Sequence, residues 1–300
     1  MSKKNLLKCS MVSLLCLLVA ASECFSMASD YKPRKKYERT VQVSAPMQAD
    51  NLFKAQTHNG YINVTGADVN QCGLTAAITA QAETVEDAQR IAEAVEIKLI
   101  PSDSGLATKI EKPRLARGES IGVNLDAVVP IQTSIDILSR NGALTIKNLT
   151  GQLNGITHNG KVVVEKISGT TKLKTHNGEI TCKGISGNTE LKTHNGQLNC
   201  EEVSGDIKLL THNGSVKVLY SPTALPVCDI SIVTYNNWIN LTTPPNLSAK
   251  VEAETHNGSV NTDLPVTVIG KVSKKKLTGT IGTGEGKLYL ETYNGSIKIK

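Results

Sequence analysis

The histidines are the residues of this chain whose type and spacing could support chemistry. All six histidines of the 300-residue chain occur in one tetrapeptide, Thr-His-Asn-Gly, at His58, His158, His176, His194, His212 and His256. Four of them, His158, His176, His194 and His212, are spaced 18 residues apart, so stacked repeats would place them in an exposed ladder. Imidazole is the commonest protein ligand for metals such as Zn²⁺, and it titrates near neutral pH.

The sequence nevertheless does not predict a metal site. A metal needs convergent nitrogens about 2 Å from the ion, and an outward-facing ladder does not supply them. Tyr235, Tyr293 and Arg140 occupy the same slot in other copies of the turn, which favours histidine as a tolerated corner residue. We therefore predict no metal and no cofactor, with Thr and Asn hydrogen-bonding the turn and Gly adopting a positive φ. Neighbouring imidazoliums would repel, so the ladder pKa values should lie below that of an isolated histidine.

The cysteines offer a second possible chemistry. Seven are present, and four follow the first 28 residues: Cys72, Cys182, Cys200 and Cys228. Cys182 and Cys200 fall 18 residues apart at equivalent positions, where stacked strands could bring them within disulfide range. Two small buried apolar residues are the alternative, and both readings remain open.

No catalytic residues are predicted. The outward positions of the repeat mix Lys, Glu, Gln, Thr and Asn without the pair of carboxylates that a glycoside hydrolase requires. The segment from Gly282 to Gly286 lacks the Lys-Ser/Thr ending and following helix of a phosphate-binding loop. The sequence therefore predicts a protein that is not an enzyme.

The elements that would position the histidines repeat with the same period. Thr-His-Asn-Gly recurs at 157–160, 175–178, 193–196 and 211–214, and a Ser-Gly or Thr-Gly pair lies midway between copies. Residues between the turns alternate as in half-buried strands. One inward column is Leu144, Val162, Ile180, Leu198 and Val216; a second is Ile146, Val164, Cys182, Cys200 and Val218; a third is Leu173, Leu191 and Leu209.

The predicted fold is all-β: a β-solenoid with two short strands per 18-residue coil and one helix in an N-terminal lobe. An antiparallel meander competes, since Asn-Gly is a strong hairpin signal. The solenoid is favoured because identity recurs every 18 residues, which stacked coils explain and a meander does not. Thr84 is a helix cap, followed by acidic residues and an apolar face, so a helix is predicted over 84–95.

The N-terminus indicates export. Lysines precede an apolar stretch from Met11 to Ala21 that is too short to span a bilayer, so residues 1–28 are predicted to be a signal peptide. A basic linker over 29–40, an N-terminal β lobe over 41–140 and a repeat solenoid over 141–300 would follow. The protein is expected to be periplasmic, surface-exposed or secreted.

A cluster of positive charge follows the signal peptide. It consists of Lys32, Arg34, Lys35, Lys36 and Arg39, and it is a candidate surface for anionic lipid or polysaccharide. Aromatic residues make up only 3% of the chain, and the chain is expected to be exported, so nucleic acid is not an expected partner.

From about Val41 to Lys300 the chain resembles the bacterial putative-adhesin family of β-strand repeats, a domain-of-unknown-function family also called toast-rack domains. The resemblance includes the early Asn-Gly coil, Val128-Val129-Pro130 before the repeats, and the ending Leu288-Tyr289-Leu290-Glu291-Thr292-Tyr293-Asn294-Gly295. It implies an exported β-solenoid and carries over no catalytic residues. The expected function is an adhesin-like structural or interaction module with a macromolecular or envelope partner. The alternative is an envelope-stress signalling scaffold acting through a membrane partner.

Overall fold

A computed structural model describes residues 33–102, 104–268 and 273–300. The described residues form two long sheets, of twelve and thirteen strands, and one short helix. The predicted signal peptide over residues 1–28 lies outside them. The helix is too short and polar to cross a membrane, and no other helix among the described residues could do so.

The N-terminal part contains seven strands and the helix. In chain order these are β1 (Lys35–Pro46), β2 (Leu52–Asn59), β3 (Ile62–Ala67), β4 (Gln71–Ala82), α1 (Val85–Glu93), β5 (Glu96–Ser102), β6 (Gly105–Glu111) and β7 (Ser120–Pro130). Strand β4 pairs antiparallel with both β1 and β7. Strands β2 and β3, which flank the first Thr-His-Asn-Gly turn, pair in parallel with β8 and β9 instead.

The regular repeats supply the next ten strands. They are β8 (Ser134–Asn141), β9 (Leu144–Thr150), β10 (Leu153–Thr157), β11 (Val162–Ser168), β12 (Thr171–Lys174), β13 (Ile180–Ser186), β14 (Thr189–Lys192), β15 (Leu198–Ser204), β16 (Ile207–Asn213) and β17 (Val216–Tyr220). Even-numbered strands pair in parallel in one sheet and odd-numbered strands in the other. Val162 lies opposite Ile180, which in the next pair lies opposite Leu198. These parallel pairs contradict the meander and agree with a solenoid-like stack.

The C-terminal strands do not stack in chain order. They are β18 (Asp229–Asn236), β19 (Ile239–Thr242), β20 (Ala249–Thr255), β21 (Val260–Thr262), β22 (Thr267–Val268), β23 (Lys276–Ile281), β24 (Gly286–Asn294) and β25 (Ile297–Ile299). Strand β24 inserts between β18 and β20, and β25 inserts between β19 and β21. The last segment of the chain therefore lies inside the stack.

The inward columns predicted from sequence form the core between the sheets. All thirteen of their side chains are at most 2% exposed. A further inward column, missed from sequence, consists of Leu149, Ile167, Ile185 and Val203. It follows a left-handed residue in each strand, such as Lys166 at φ 53°, which shifts the strand alternation by one position. The strand pairing accordingly omits Lys166 and Gly184, while the 18-residue register stays the same on both sides of them.

The helix prediction is confirmed, with the helix ending slightly earlier than expected. The Thr84 hydroxyl accepts a hydrogen bond from the Asp87 amide at 3.1 Å, and Ala88, Ile91 and Ala92 are buried. Arg39 of β1 donates to three carbonyls at the helix end, at 3.0 to 3.2 Å. A cation there stabilises the negative end of the helix dipole.

The domain boundaries need correction. The linker predicted over 29–40 is wrong from Lys35 onwards, because β1 begins there and pairs along its whole length with β4. Both sheets also continue without a break across the predicted boundary at residue 140, since β8 and β9 pair with strands on either side. The first coil thus belongs to the same stack as the regular repeats.

Two buried threonines should weaken this core. The Thr171 and Thr189 hydroxyls are buried and have no hydrogen-bond partner among the described residues, whereas Leu153 and Ile207 occupy the flanking positions of the same column. An unpaired buried hydroxyl costs roughly 1–3 kcal/mol. We expect Thr171→Val or Thr189→Val to raise the free energy of unfolding by about 1 kcal/mol, measured by urea denaturation. Thr193→Val should instead lower the free energy of unfolding, because the Thr193 hydroxyl donates a hydrogen bond to Gly178 O.

Candidate functional site

One exposed column of side chains runs along the thirteen-strand sheet, and we call it the ring column. It contains the second residue of every Thr-x-Asn-Gly-type turn. Strand order and register place its members in the sequence His58, Arg140, His158, His176, His194, His212, Tyr235, Tyr293 and His256. All nine side chains are exposed.

Seven consecutive members form one continuous stack of rings. From His158 to His256 the ring centroids are 4.5 to 5.0 Å apart, and neighbouring planes lie within 10° of parallel. The four histidines of the predicted ladder are consecutive members of this stack. Tyr235, Tyr293 and His256 extend the ladder, because β24 enters the stack between β18 and β20.

The asparagines beside the rings form a hydrogen-bonded ladder along the same edge. In each of eight steps the Nδ2 of one asparagine donates to the Oδ1 of its neighbour at 2.7 to 2.9 Å. Its nine members, in order along the sheet, are Asn59, Asn141, Asn159, Asn177, Asn195, Asn213, Asn236, Asn294 and Asn257. This Asn ladder fixes the ring column on one side.

Threonines fix the other side. Thr175 Oγ1 donates to Gly160 O at 3.1 Å, and Thr193 and Thr211 make the equivalent bond one coil further along at 2.9 Å. These threonines are buried, as predicted. Each turn is thus tied to the preceding coil through both Thr and Asn, and the ring side chain between them is exposed.

The predicted reason for glycine in these turns is wrong for the regular repeats. Gly160, Gly178 and Gly196 do not adopt positive φ; the corner glycines Gly169 and Gly187 do. A Cβ on Gly178 would instead overlap the carbonyl oxygen of Gly160 in the preceding coil, and a Cβ on Gly196 would overlap Gly178. Glycine is needed here because the backbones approach too closely for any side chain.

The stacked geometry does not suit a bridging metal. Equivalent nitrogens on rings 4.8 Å apart are further separated than the span of two Zn–N bonds of about 2.1 Å. Among the described residues, no group of three His, Cys, Asp or Glu side chains converges as a metal site would require. The stacked rings instead present a continuous row of ring edges to solvent.

The stack should affect the titration of its inner members. Partial desolvation lowers the pKa of His176, and the charges of His158, His194 and Lys174 lower it further. Protonation is therefore less favourable in the folded chain than in the unfolded one. The stability linked to His176 is present at neutral pH and decreases as pH falls through its unfolded pKa of about 6.5. We expect an NMR titration to show a His176 pKa below that of a histidine peptide; an equal or higher value would contradict ring stacking.

Cys182 and Cys200 lie opposite each other on β13 and β15, fully buried and present as free thiols. The pKa of Cys182 is raised well above its ordinary value. The larger cause is the hydrogen bond with Cys200, and burial of the thiol raises the pKa further. Because both thiols are fully buried, we expect both to resist oxidation. Alkylation after denaturation without reductant should label both, whereas a cross-linked peptide in mass spectrometry would establish the disulfide.

The basic cluster after the predicted signal peptide is only partly available for a partner. Lys32 lies outside the described residues, and Arg39 is engaged at the end of α1. Lys36 pairs with Glu38 at 2.5 Å, and Lys35 begins strand β1. The cluster is therefore not the free basic tail that the sequence suggested, because two of its members already have partners.

Comparison with known proteins gives a family match and distant structural likenesses. The family model described as Toastrack DUF4097 matches residues 27–300. No curated protein matches the chain in sequence. A putative cell adhesion protein from Clostridium sporogenes is 14% identical, with a TM-score of 0.26, covering 87% of this chain and 99% of that one. A putative adhesin from Bacteroides fragilis is 13% identical, with a TM-score of 0.41, covering 87% of this chain and 97% of that one. A putative adhesin from Parabacteroides distasonis is 11% identical, with a TM-score of 0.26, covering 90% of this chain and 98% of that one.

Proposed function

The chain belongs to the Toastrack DUF4097 family, and we propose that it is an exported, non-catalytic, adhesin-like interaction module of the cell envelope or surface. The ring column is its binding face. The observation that carries this proposal is the continuous stack of seven exposed rings, anchored in every coil by Thr and Asn hydrogen bonds.

Rigidity supports a binding role for the ring column. A side chain that is already ordered loses little conformational entropy when a partner binds, so more of the contact energy appears as affinity. Flat rings with polar atoms contribute contact area and hydrogen bonds together. The stacked rings of the column combine both properties over seven successive coils.

Composition of the column supports a non-catalytic role. Its members are six histidines, two tyrosines and one arginine, so it contains no carboxylate, serine or cysteine to act as nucleophile or paired acid and base. Export rests on the predicted signal peptide over residues 1–28, with the mature chain in the periplasm, on the surface or secreted.

The proposal can be tested with the mature chain, residues 29–300, and isolated cell-envelope fractions. We expect saturable binding that falls about tenfold or more in the triple variant His194→Ala, His212→Ala and Tyr235→Ala. The matched control, Lys147→Ala, Lys183→Ala and Lys217→Ala, removes three side chains from the outer face of the other sheet and should bind as wild type. Thermal unfolding of each variant verifies that it remains folded.

Two results would overturn the proposal. One is equal binding by both triple variants, which would place the binding face elsewhere. The other is capture of a single inner-membrane protein with no binding to envelope fractions, which would favour the signalling scaffold.

A further inference from the structure

A groove of about 670 Å³ lies beside the N-terminal half of the ring column. Residues from strands β2, β6, β8, β10 and β12, from the loop after β6 and from the turns after β10 and β12 line it. Every ionisable residue of this lining is basic, and no carboxylate is among them; the six are His58, Lys112, Arg140, His158, Lys174 and His176. We call it the cationic groove.

The positive charge of this groove is not neutralised by ion pairs within the described part of the chain, unlike the charge of some lysines on the other sheet. Among the described residues, Lys147 pairs with Glu165 at 3.0 Å and Lys161 pairs with Glu179 at 3.1 Å. No ion pair within the described ranges involves Lys112, Arg140 or Lys174. The groove therefore holds a local excess of cations that lack anionic partners.

One of these cations, Lys112, is partly removed from water. Partial burial lowers the pKa of Lys112, which means that its charged form is less well solvated than in water. A nearby anion would restore that lost stabilisation. The apolar side chains of Leu138 and Ile156 lie between the charges, each 38% exposed, so the surface of the groove is not uniformly polar.

We propose that the cationic groove binds an anionic glycan, a chain whose sugar rings carry carboxylate or phosphate groups. This inference rests on the proposed function and names the partner of that face. Arg140, His158 and His176 lie on successive strands at the coil spacing, as a partner with repeating negative charge requires. Arg140 can hold a carboxylate or phosphate through two parallel hydrogen bonds. Leu138 and Ile156 would contact the apolar C–H faces of the sugar rings.

The test uses the mature chain with a tetramer of galacturonic acid as the anionic probe and a neutral glucose tetramer of equal length. Calorimetry should show binding of the uronate and none of the neutral chain. Arg140→Gln should weaken uronate binding about tenfold, because it removes a charge-assisted hydrogen-bond pair. Lys147→Gln, which removes the same charge outside the groove, should leave the affinity unchanged.

Acidity supplies an independent readout. The uronate carboxylates stay ionised between about pH 7.5 and 5.5, whereas imidazole as a side-chain type gains charge as pH falls, and the lining contains three histidines. Lys112, Arg140 and Lys174 are the other ionisable groups of the lining. Affinity should therefore rise as pH falls, and the double variant His158→Gln and His176→Gln should reduce that rise.

Equal affinity for the neutral and uronate chains would overturn the inference, as would an unchanged affinity in Arg140→Gln. Binding of vesicles containing anionic phospholipid, with no binding of the uronate, would assign the groove to a membrane and also overturn it. If groove variants bind envelope fractions like wild type, the glycan assignment fails while the proposed interaction function stands.

Discussion

Gly196→Ala should lower the stability of the stack by more than about 3 kcal/mol, a loss that places it among the most damaging single substitutions. The new Cβ would overlap the Gly178 carbonyl oxygen of the preceding coil and crowd Thr193 Oγ1 at 3.0 Å. Because the main obstacle is the backbone of the preceding coil, no rotamer change can relieve it, and the coils must separate. Separation would break the Thr193 hydrogen bond to that same carbonyl. The urea midpoint, followed by circular dichroism, measures the effect.

Gly73→Ala is the matched control for this substitution. Gly73 lies in β4, has no positive φ, and a Cβ there would meet no atom within 4 Å. Alanine reduces the entropy of the unfolded chain, so Gly73→Ala should be neutral or stabilising by up to about 1 kcal/mol. Similar midpoints for the two variants would show that the coils are not packed as closely as the structure has them.

The second large effect concerns the Asn ladder, whose amides all donate in the same direction. Asn177→Asp should be nearly neutral by itself. A carboxylate cannot donate, but it can accept from both neighbours if the amides of Asn59, Asn141 and Asn159 each rotate by half a turn. The ladder then reverses on one side and every contact keeps a donor and an acceptor.

The adjacent pair Asn177→Asp with Asn195→Asp has no such solution. Two carboxylates would face each other across one coil step, with no donor between them. Their repulsion at this distance costs about 1 kcal/mol in water, and the lost hydrogen bond costs about 1 kcal/mol more. We expect the double variant to lose about 2 kcal/mol at neutral pH, measured as a lower urea midpoint.

Lowering the pH should restore the stability of the double variant, and this recovery is a check on the argument. Repulsion raises the folded pKa of the pair above the unfolded value of about 3.9. The folded state therefore binds protons more readily, and stability returns as pH falls through the raised folded pKa. The separated pair Asn59→Asp with Asn213→Asp carries equal charge without facing carboxylates, so it should lose about half as much. Equal losses for both pairs would contradict a continuous ladder.

The sequence by itself determined the repeating unit and most of the core. In a parallel stack each position meets the same environment in every coil, so selection for that environment repeats the same residue type at a fixed interval. This is why the buried columns through Leu144, Ile146 and Leu173 could be predicted without a structure. The exposed histidine ladder followed from the same argument, and so did the inward position of Thr175 and its equivalents.

Features that depend on contact between distant segments could not be predicted in this way. Backbone hydrogen bonds between strands carry no side-chain identity, so nothing local indicates that β24 enters between β18 and β20. The stack of rings beyond His212 depends on that insertion. The position of Arg39 beneath the end of α1 is likewise a contact across more than fifty residues.

The Thr-His-Asn-Gly turn could likewise be predicted only in part from the sequence. Its residues identify a corner and leave histidine exposed, because Thr, Asn and Gly each have strong local preferences in turns. The reason for its glycine was decided only by the tertiary structure, since the atom that excludes a Cβ belongs to the preceding coil. The cationic groove has the same origin: Lys112 and Arg140 come from separate segments, and only the folded chain shows that no carboxylate lies among them.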